Sequence, residues 1–296
     1  MKISQRFHQF ECQVIEINEH DDNSIFEMTH RVVQEALGIF SNIEKFQKFI
    51  EQNSQLKTIF EMSLTNIDDK KKEKNLLIAT NALQRNKIPA EMKSLMDQHV
   101  ELMRSITKNV KHREFLDEFM RKEMEIVITN TFGLTSPNGN EFGAGIFPLS
   151  SFFNHSCSPN VMRITVENKL VFIVSRPIEE NEQLFVCYRN DFMETSTESR
   201  KAELRTKYNF DCVCEACIEN FPLLIDIKST SLNKISPEKT STQQFTEQIA
   251  KAEFKTNCEF INKNSKNFPN YEVCNLIKRN QSLLEYLANI SSSFSW

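Results

Sequence analysis

The sequence predicts an α+β fold in which a compact β region separates two helical regions. Apolar residues recur at helical spacing before residue 124 and again after residue 243, whereas short β-branched and aromatic runs occupy the stretch between them. Four of the five glycines fall between Gly133 and Gly145, where the β region begins. Three cysteines within six residues, at 212, 214 and 217, follow that region.

Composition excludes several classes of protein. The 296-residue chain is long enough for one large domain or two modest ones. Its net charge of −4 argues against a general binder of nucleic acids or membrane surfaces. No apolar run reaches the length of a membrane span, and the N-terminus lacks the apolar core of a secretory signal. The eight cysteines are therefore expected in a reducing compartment (cytoplasm, nucleus or both), where clustered thiols bind metal more often than they form disulfides.

Helical spacing in the N-terminal half predicts three helices after a polar segment at residues 1–24. They run from Ile25 to about Phe60, from about Lys74 to Gln84, and from about Ala90 to Glu123. The third helix carries an apolar face that includes His99. We interpret this histidine as a satisfied core residue rather than as a ligand.

The β region is predicted from β-branched and aromatic runs. Strand-like runs occupy Ile126–Asn130, Val161–Val166, Leu170–Ser175 and Leu184–Tyr188. A loop is expected at residues 135–140, which are rich in Pro, Gly and Asn. A turn at Glu167 and Asn168 predicts that the second and third runs form a hairpin.

The C-terminal part returns to helical spacing. A capping box at Thr195–Glu198 predicts a helix to about Lys207. Residues 226–242 are rich in Ser, Thr, Lys and Pro, which is typical of a linker. From Gln243 to Ile290 the pattern is helical, with an apolar stripe formed by Leu283, Leu284, Leu287 and Ile290.

The cysteine pattern predicts a structural zinc site. Cys212, Cys214 and Cys217 form a C-x-C-x2-C run, whose tight turn lets three thiolates face one ion. Cys157, in a turn beside Pro159, is the best candidate for the fourth ligand. Four cysteines leave no open position on zinc, so the predicted site is structural rather than catalytic. The alternative is a set of buried free thiols, which the close spacing argues against.

Three motifs resemble the SET domain of protein lysine methyltransferases. They are Asn154-His155-Ser156-Cys157-x-Pro159-Asn160, Leu184-x3-Tyr188 and Tyr208-x-Phe210-x-Cys212-x-Cys214-x2-Cys217. Their order and spacing, with Gly143-Ala-Gly145-Ile-Phe-Pro148 before them, are similar to the SMYD branch, whose members combine a SET domain with a MYND zinc finger. The resemblance covers about residues 120–220. It implies a SET-domain β core, a pseudoknotted β-clip, in which the strand that carries Tyr188 passes through a loop; threaded loops are rare.

The resemblance also implies a cofactor and a reaction, the transfer of a methyl group from S-adenosylmethionine to a lysine of a histone or non-histone protein. Asn130, Asn154 and His155 would surround the cofactor, Tyr208 and Phe210 would lie by the substrate channel and the adenine, and the Tyr188 hydroxyl would face the reacting methyl. The metal ligands would be Cys157, Cys212, Cys214 and Cys217. The alternatives are that Asn154 and His155 only satisfy turn hydrogen bonds and that Tyr188 is an ordinary strand residue.

The sequence departs from the SMYD pattern near its N-terminus. The Gly-x-Gly strand that cradles the cofactor in the family has no counterpart, and Gly143 and Gly145 belong to a different segment. His8 and Cys12 resemble the last two ligands of a MYND finger but have no upstream partners. These departures predict that an N-terminal portion is missing. A smaller departure is Asn181, where the family often has glycine; asparagine tolerates the left-handed backbone that such a turn requires.

The resemblance implies six segments along the chain. They are a MYND remnant at 1–13, a helical region at 14–124 inserted in or linked to the SET domain, the SET core at 125–192, a post-SET zinc-binding segment at 193–220, a linker at 221–242, and part of a helical C-terminal domain at 243–296. A monomer is expected, with a lysine-bearing protein as its partner and neither a nucleic acid nor a membrane. The alternative function is a degenerate SET scaffold that binds proteins without catalysis.

Overall fold

The structure, a computed structural model, describes residues 24–40, 42–53, 68–88, 90–107, 111–136, 140–167, 169–227 and 246–290. These residues group into two compact units. The first unit contains the described residues up to Phe132 together with Gly145–Ser151, and the second contains Gly133–Ala144 and the described residues from Phe152 onward. The predicted MYND remnant at residues 1–13 lies outside the described residues. The predicted mixture of helices and short strands is confirmed.

The first unit is built from amphipathic helices. Their bounds are α1 Ser24–Ile39, α2 Ile43–Gln52, α3 Asp69–Asn81, α4 Lys93–Thr107 and α5 Arg113–Asn130. Large apolar side chains from all five helices fill its core, among them Phe26, Phe46, Leu77, Met96 and Phe119. His99 is buried there, stacked on Phe26 with ring centroids 4.3 Å apart, and its Nδ1 lies 3.0 Å from His30 Nε2. The prediction that His99 is a satisfied core residue is confirmed.

Two predicted helices are interrupted in the structure. The helix expected from Ile25 onward ends at Ile39, and a second one begins at Ile43 after Asn42, whose side chain accepts a hydrogen bond from the Lys45 N–H. The helix expected over 90–123 is divided into α4 and α5. In both cases the apolar face continues across the break, so periodicity alone did not reveal it.

The strand predicted at Ile126–Asn130 is wrong, because these residues form the last turns of helix α5. Ile126 and Val127 are fully buried in the first unit, and they continue a helical series of buried residues that includes Phe119 and Met120. Burial of one face therefore outweighs the strand preference of β-branched residues. A strand begins directly after the helix, at Thr131.

In the described ranges, the strands form three small sheets. Their bounds are β1 Thr131–Thr135, β2 Glu141–Ile146, β3 Asn154–His155, β4 Val161–Val166, β5 Lys169–Val174 and β6 Phe185–Val186. The sheets pair β1 with β2, β3 with β6, and β4 with β5. The predicted hairpin is confirmed: β4 and β5 are antiparallel, with Val161 opposite Val174, and Glu167 in the turn has a φ of 55°.

Helices complete the second unit. They are α6 Thr197–Tyr208, α7 Glu215–Ile218, α8 Glu247–Asn264 and α9 Tyr271–Ile290. The N-cap of α6 is Ser196, whose hydroxyl accepts from the Ser199 N–H, and not Thr195 of the predicted capping box. The single helical pattern after Gln243 is divided into α8 and α9, and the Phe268-Pro269 peptide bond between them is cis. Of the predicted stripe, Leu283, Leu284 and Leu287 are buried, whereas Ile290 is exposed. No helix within the described ranges is long and apolar enough to cross a membrane.

Candidate functional site

Strands β3 and β6 bring the Asn154-His155 segment against the segment that carries Tyr188. The two strands are parallel, with Asn154 opposite Phe185 and His155 opposite Val186. The Ser156 N–H extends this pairing by donating to the Val186 carbonyl at 3.0 Å. Residues about thirty positions apart in the sequence therefore share one short sheet, and the polar segment and the tyrosine become neighbours.

His155 connects Tyr188 to the cysteine cluster. Its Nδ1 accepts the backbone N–H of Tyr188 at 3.0 Å, and its Nε2 lies 3.3 Å from the Cys157 sulfur. Burial lowers the pKa of His155 to about 4, so the ring is neutral at pH 7. Because Nδ1 accepts a hydrogen bond, the single ring proton lies on Nε2 and is donated to Cys157. Both ring nitrogens of His155 are thus engaged within the protein.

Tyr188 has a fixed hydroxyl group. It donates to the Phe153 carbonyl at 2.7 Å. Burial, together with the nearby Tyr208, raises the pKa of Tyr188 above its ordinary value, so the phenol keeps its proton at neutral pH. Since that proton is directed at Phe153, the lone pairs of the phenol oxygen remain able to accept from another group.

An aromatic cluster surrounds Tyr188. Its members are His155, Tyr188, Tyr208 and Phe210, all of them half-buried. The ring centroid of Tyr188 lies 5.1 Å from that of His155 and 5.0 Å from that of Tyr208, and the His155 centroid lies 6.0 Å from that of Phe210. Asn209, with a φ of 55°, ends helix α6 and turns the chain between Tyr208 and Phe210. The structure thus brings four of the six residues predicted to bind the cofactor or the methyl group into one cluster.

The two asparagines predicted to bind the cofactor lie in different units. Asn154 precedes His155 in β3, and its side chain is exposed. Asn130 is the last residue of α5 in the first unit, where it is buried and its amide donates to the carbonyls of Gln84 at 2.8 Å and Ile126 at 2.9 Å. The N–H groups of Asn130 are therefore committed to the end of its own helix and to a neighbouring carbonyl.

The four predicted metal ligands converge. The Cys157 sulfur lies 3.6 Å from the Cys217 sulfur and 4.0 Å from the Cys212 sulfur, and these three lie with Cys214 within 4.8 Å of one another. A tetrahedral zinc with bonds of about 2.3 Å separates its sulfur ligands by about 3.8 Å. The donor set and its spacing therefore fit a zinc bound by four cysteines, and Cys157, Cys212 and Cys217 are buried.

Hydrogen bonds favour a thiolate at one corner of this cluster. The thiols of Cys157 and Cys212 hold the pKa of Cys214 below its ordinary value, and the Cys157 backbone N–H donates to the Cys214 sulfur at 3.4 Å. Contacts with Cys212 and Cys214, with burial, raise the pKa of Cys157. For Cys212 the hydrogen bond with Cys157 lowers the pKa, but the contact with Cys214 and burial outweigh it and raise the pKa to about 11. Four close sulfurs cannot all ionise without a cation among them, which is the reason that such clusters bind metal.

Asn160 braces the segment that leads into β6. This residue is fully buried, and its amide donates to the Glu182 carboxylate and to the Gln183 carbonyl, each at 2.9 Å. Its carbonyl oxygen accepts the Phe185 N–H at 2.8 Å. Asn181, at the tip of the same turn, has a φ of 66°, which confirms the left-handed backbone expected there. The Asn160 side chain therefore makes the hydrogen bonds to the backbone of Gln183 and Phe185 that a neighbouring strand would otherwise make.

Replacing Asn160 with alanine is expected to destabilise the second unit by about 2 kcal/mol, because the Gln183 carbonyl and the Phe185 N–H would lose the buried side chain that pairs with them. Urea unfolding followed by circular dichroism measures this loss. Asn190→Ala, at an exposed position nearby, is the control and should cost less than about 0.5 kcal/mol. Equal stability of the two variants would contradict the assigned role of Asn160.

Three features of the site depend on contacts that no sequence motif predicted. Asn160 lies in a recognised motif but was not predicted to contact 182–185, and the Phe153 carbonyl carries no residue-specific signal. Arg200 is the third: it lies on the polar helix α6 and yet is only 1% exposed, with its guanidinium beside the cysteine cluster. Each depends on a contact that spans a long stretch of chain.

Comparison with known proteins identifies the family of this chain. The family model of the SET domain matches residues 11–189, which is more than half of the chain. Histone-lysine N-methyltransferase SMYD3 of Mus musculus is 40% identical over 91 residues, which cover 31% of this chain and 21% of that protein. The potential protein lysine methyltransferase SET6 of Saccharomyces cerevisiae is 33% identical over 111 residues, covering 36% of this chain and 30% of that protein.

A third relative is named for both a SET and a MYND domain. It is a SET and MYND domain-containing protein of Dictyostelium discoideum, 32% identical over 117 residues, which cover 38% of this chain and 30% of that protein. The similarity to all three relatives thus spans less than a third of their own length.

Proposed function

Because this chain belongs to the SET-domain family, we propose that it is a SMYD-like protein lysine methyltransferase, which transfers a methyl group from S-adenosylmethionine to a lysine of a histone or another protein. The observation that carries the proposal is the fixed Tyr188 hydroxyl within the aromatic cluster. The curated relatives named as lysine methyltransferases support the reaction class.

Tyr188 would orient the lysine amine. Its hydroxyl proton is held by the Phe153 carbonyl, so the oxygen can accept an N–H from an incoming amine. A tyrosine that is neutral and held in one rotamer can align the amine that receives the methyl group, without itself acting as a nucleophile. Alignment of this kind contributes several kcal/mol to a bimolecular displacement.

The aromatic cluster would deliver the amine in its neutral form. A lysine reacts through its lone pair and must therefore lose a proton before the new C–N bond forms. Half-buried rings of Tyr188, Tyr208 and Phe210 offer no anionic partner to an ammonium group, and desolvation disfavours its charge. The same ring faces can contact a cation that carries no N–H group, such as the sulfonium of the proposed cofactor.

The residues of the second unit fit the proposed cofactor. S-adenosylmethionine supplies an electrophilic methyl group on a sulfonium. Asn154 presents an exposed amide beside the cluster, and the rings of Tyr208 and Phe210 provide apolar faces for a planar base. His155 would act by positioning, because its ring holds the Tyr188 backbone and its nitrogens are already engaged.

Zinc would hold the two halves of this site together. Cys157 lies two residues after His155, and Cys212 lies two residues after Phe210. A metal shared by these cysteines therefore joins the segment of His155 to the segment of Tyr208 and Phe210. With four protein ligands it would have no free position for a substrate, so its role would be structural.

Transfer of a labelled methyl group tests the proposal. We expect the full-length protein to bind S-adenosylmethionine in calorimetry and to label lysines in histones or in a whole-cell protein extract. Tyr188→Phe should lower the rate about 30- to 100-fold with unchanged folding, because one hydroxyl that aligns the amine is lost. Tyr271→Phe, on helix α9 and outside the cluster, is the control and should leave the rate unchanged.

Two outcomes would count against this proposal. Failure of the full-length protein to bind S-adenosylmethionine would favour a non-catalytic scaffold. A Tyr188→Phe variant as active as the Tyr271→Phe control would remove Tyr188 from the mechanism.

A further inference from the structure

Arg200 is a buried cation in the middle of the second unit. It lies on helix α6 with 1% of its surface exposed and is among the largest fully buried side chains of the described residues. A guanidinium keeps its proton under all ordinary conditions. Removing such a charge from water is costly unless an anion compensates it. The position of Arg200 therefore requires a negatively charged partner.

The contacts of Arg200 identify that partner. Its guanidinium donates to three neutral groups, the Thr195 carbonyl, the Thr197 hydroxyl at 3.1 Å and the Ala216 carbonyl at 3.4 Å. Its fourth contact is the Cys217 sulfur, 3.9 Å from Nη2. In the part of the chain that the structure describes, no carboxylate lies within ion-pair distance of Arg200. The cysteine cluster is thus the one group in contact with it there that can become anionic, as it does when its thiolates bind a metal.

The charge of a loaded cluster matches this need. Four thiolates around a divalent zinc carry a net charge of about −2, which is itself unfavourable in a buried position. A guanidinium that donates to one of the sulfurs removes part of that charge. Outer hydrogen bonds of this kind orient metal ligands and tune the metal they hold.

We propose that Arg200 is the counter-ion of the zinc centre, which offsets the charge of the four thiolates and binds helix α6 to the cysteine turn at 212–217. Arg200 is a positioning residue, since it acts on zinc through Cys217. Its helix ends at Tyr208, so the same contact connects the zinc centre to the aromatic cluster. This inference rests on the zinc site and not on methyl transfer, and it can fail or hold independently of the proposed activity.

Zinc retention in variants of the full-length protein tests the inference. Arg200→Met removes both the charge and the donors, Arg200→Gln keeps N–H donors without the charge, and Arg200→Lys keeps the charge without the planar fork. The matched control is Arg205→Met, on the same helix, where the arginine is exposed and paired with Asp211. The measurements are zinc per chain, the rate of zinc release to a chelator, and the sulfur-to-metal charge-transfer band after cobalt substitution.

We expect Arg200→Met to release zinc about 10- to 100-fold faster than the native protein. The charge-transfer band should move to lower energy, because thiolates without a nearby cation give up electrons more easily. Arg200→Lys should recover most of the native behaviour and Arg200→Gln should not. Arg205→Met should match the native protein in all three measurements.

The order of the Lys and Gln variants separates a counter-ion from a mere structural donor. A Gln variant that retains zinc as well as or better than the Lys variant would overturn the proposal. So would an Arg200→Met protein with native release and an unshifted band. If the Met variant does not fold, the Lys and Gln pair still decides the question.

Discussion

Replacing Cys217 with serine, or removing zinc with a chelator, is expected to unfold the segment at 212–221 and to destabilise the second unit by at least about 5 kcal/mol. The cysteines form the centre of a buried cluster that also contains Phe192, Leu204 and Phe221. Without the metal, the cysteines lose the ion that they would share, and the turn that carries three of them has only helix α7, four residues long, as regular structure. Structural zinc contributes about 10 to 16 kcal/mol of binding free energy in small zinc-dependent peptides.

Hydrogen exchange read by mass spectrometry measures this effect at 212–221, and metal analysis gives the zinc content. The control is Cys258→Ser, on helix α8 and outside the four-cysteine cluster. It should keep one zinc per chain and native exchange at 212–221. Native exchange of the zinc-free protein in that segment would mean that the thiols pack without metal.

Replacing Glu123 is expected to stabilise the first unit above neutral pH. This carboxyl group is fully buried on helix α5, and neither of its oxygens has a hydrogen-bond partner among the described residues. Burial raises its pKa from 4.5 to about 7, an effect that the charges of Lys122 and Arg85 only partly oppose. An ionised carboxylate in this position therefore destabilises the folded state.

The sign of the pH effect follows from this shift. Below about pH 4.5 the group is protonated in both the folded and unfolded states and has no effect on stability. Between about pH 4.5 and pH 7 the unfolded chain ionises first, so the free energy of unfolding falls as pH rises. Above about pH 7 the full cost of about 3 kcal/mol is present, at about 1.36 kcal/mol for each pKa unit.

We expect Glu123→Gln to remove this pH dependence and Glu123→Met to raise the stability of the first unit at pH 8 by about 2 to 3 kcal/mol. Hydrogen exchange of helices α1, α4 and α5 between pH 5 and pH 8 reports on this unit alone, after correction for intrinsic exchange rates. Glu118→Gln, exposed on the same helix, is the control and should keep the native profile. A Glu123→Gln profile that matches the native one would show that the pKa of this carboxyl group is the same in the folded and unfolded states, and would contradict the shift.

The parts of the candidate site that could be predicted are those whose residues lie in recognisable local motifs. The C-x-C-x2-C run and Cys157 predicted a four-sulfur cluster, and the structure brings the four sulfurs within 4.8 Å. The resemblance of the motifs to the SET domain implied that Asn154, His155 and Tyr188 would be neighbours, and the β3–β6 pairing brings their segments together. Such motifs are informative because residue type and spacing limit what the chain can bind.

Other features depended on contacts that no local pattern records. The Ile126–Asn130 run has the composition of a strand and forms the end of a helix, because its apolar face covers the core of the first unit. The hydrogen bonds of Asn160 to 182–185 cross more than twenty residues. The N-cap of α6 is Ser196 rather than Thr195, whose carbonyl instead accepts from Arg200.

By itself, the sequence determined the α+β class, the hairpin at 161–174, the four sulfur ligands and the aromatic residues of the candidate site. The class, the hairpin and the sulfur ligands follow from periodicity, turn residues and ligand spacing, which act over a few residues at a time, whereas the aromatic residues follow from the resemblance of the motifs to the SET domain. Only the tertiary structure decided that His155 joins Tyr188 to Cys157, that Asn160 replaces strand pairing before β6, and that Arg200 lies buried against the cysteines. The reason is physical: the free energy of a buried charge or hydrogen bond depends on partners distant in the chain, and these exist only once the chain has folded.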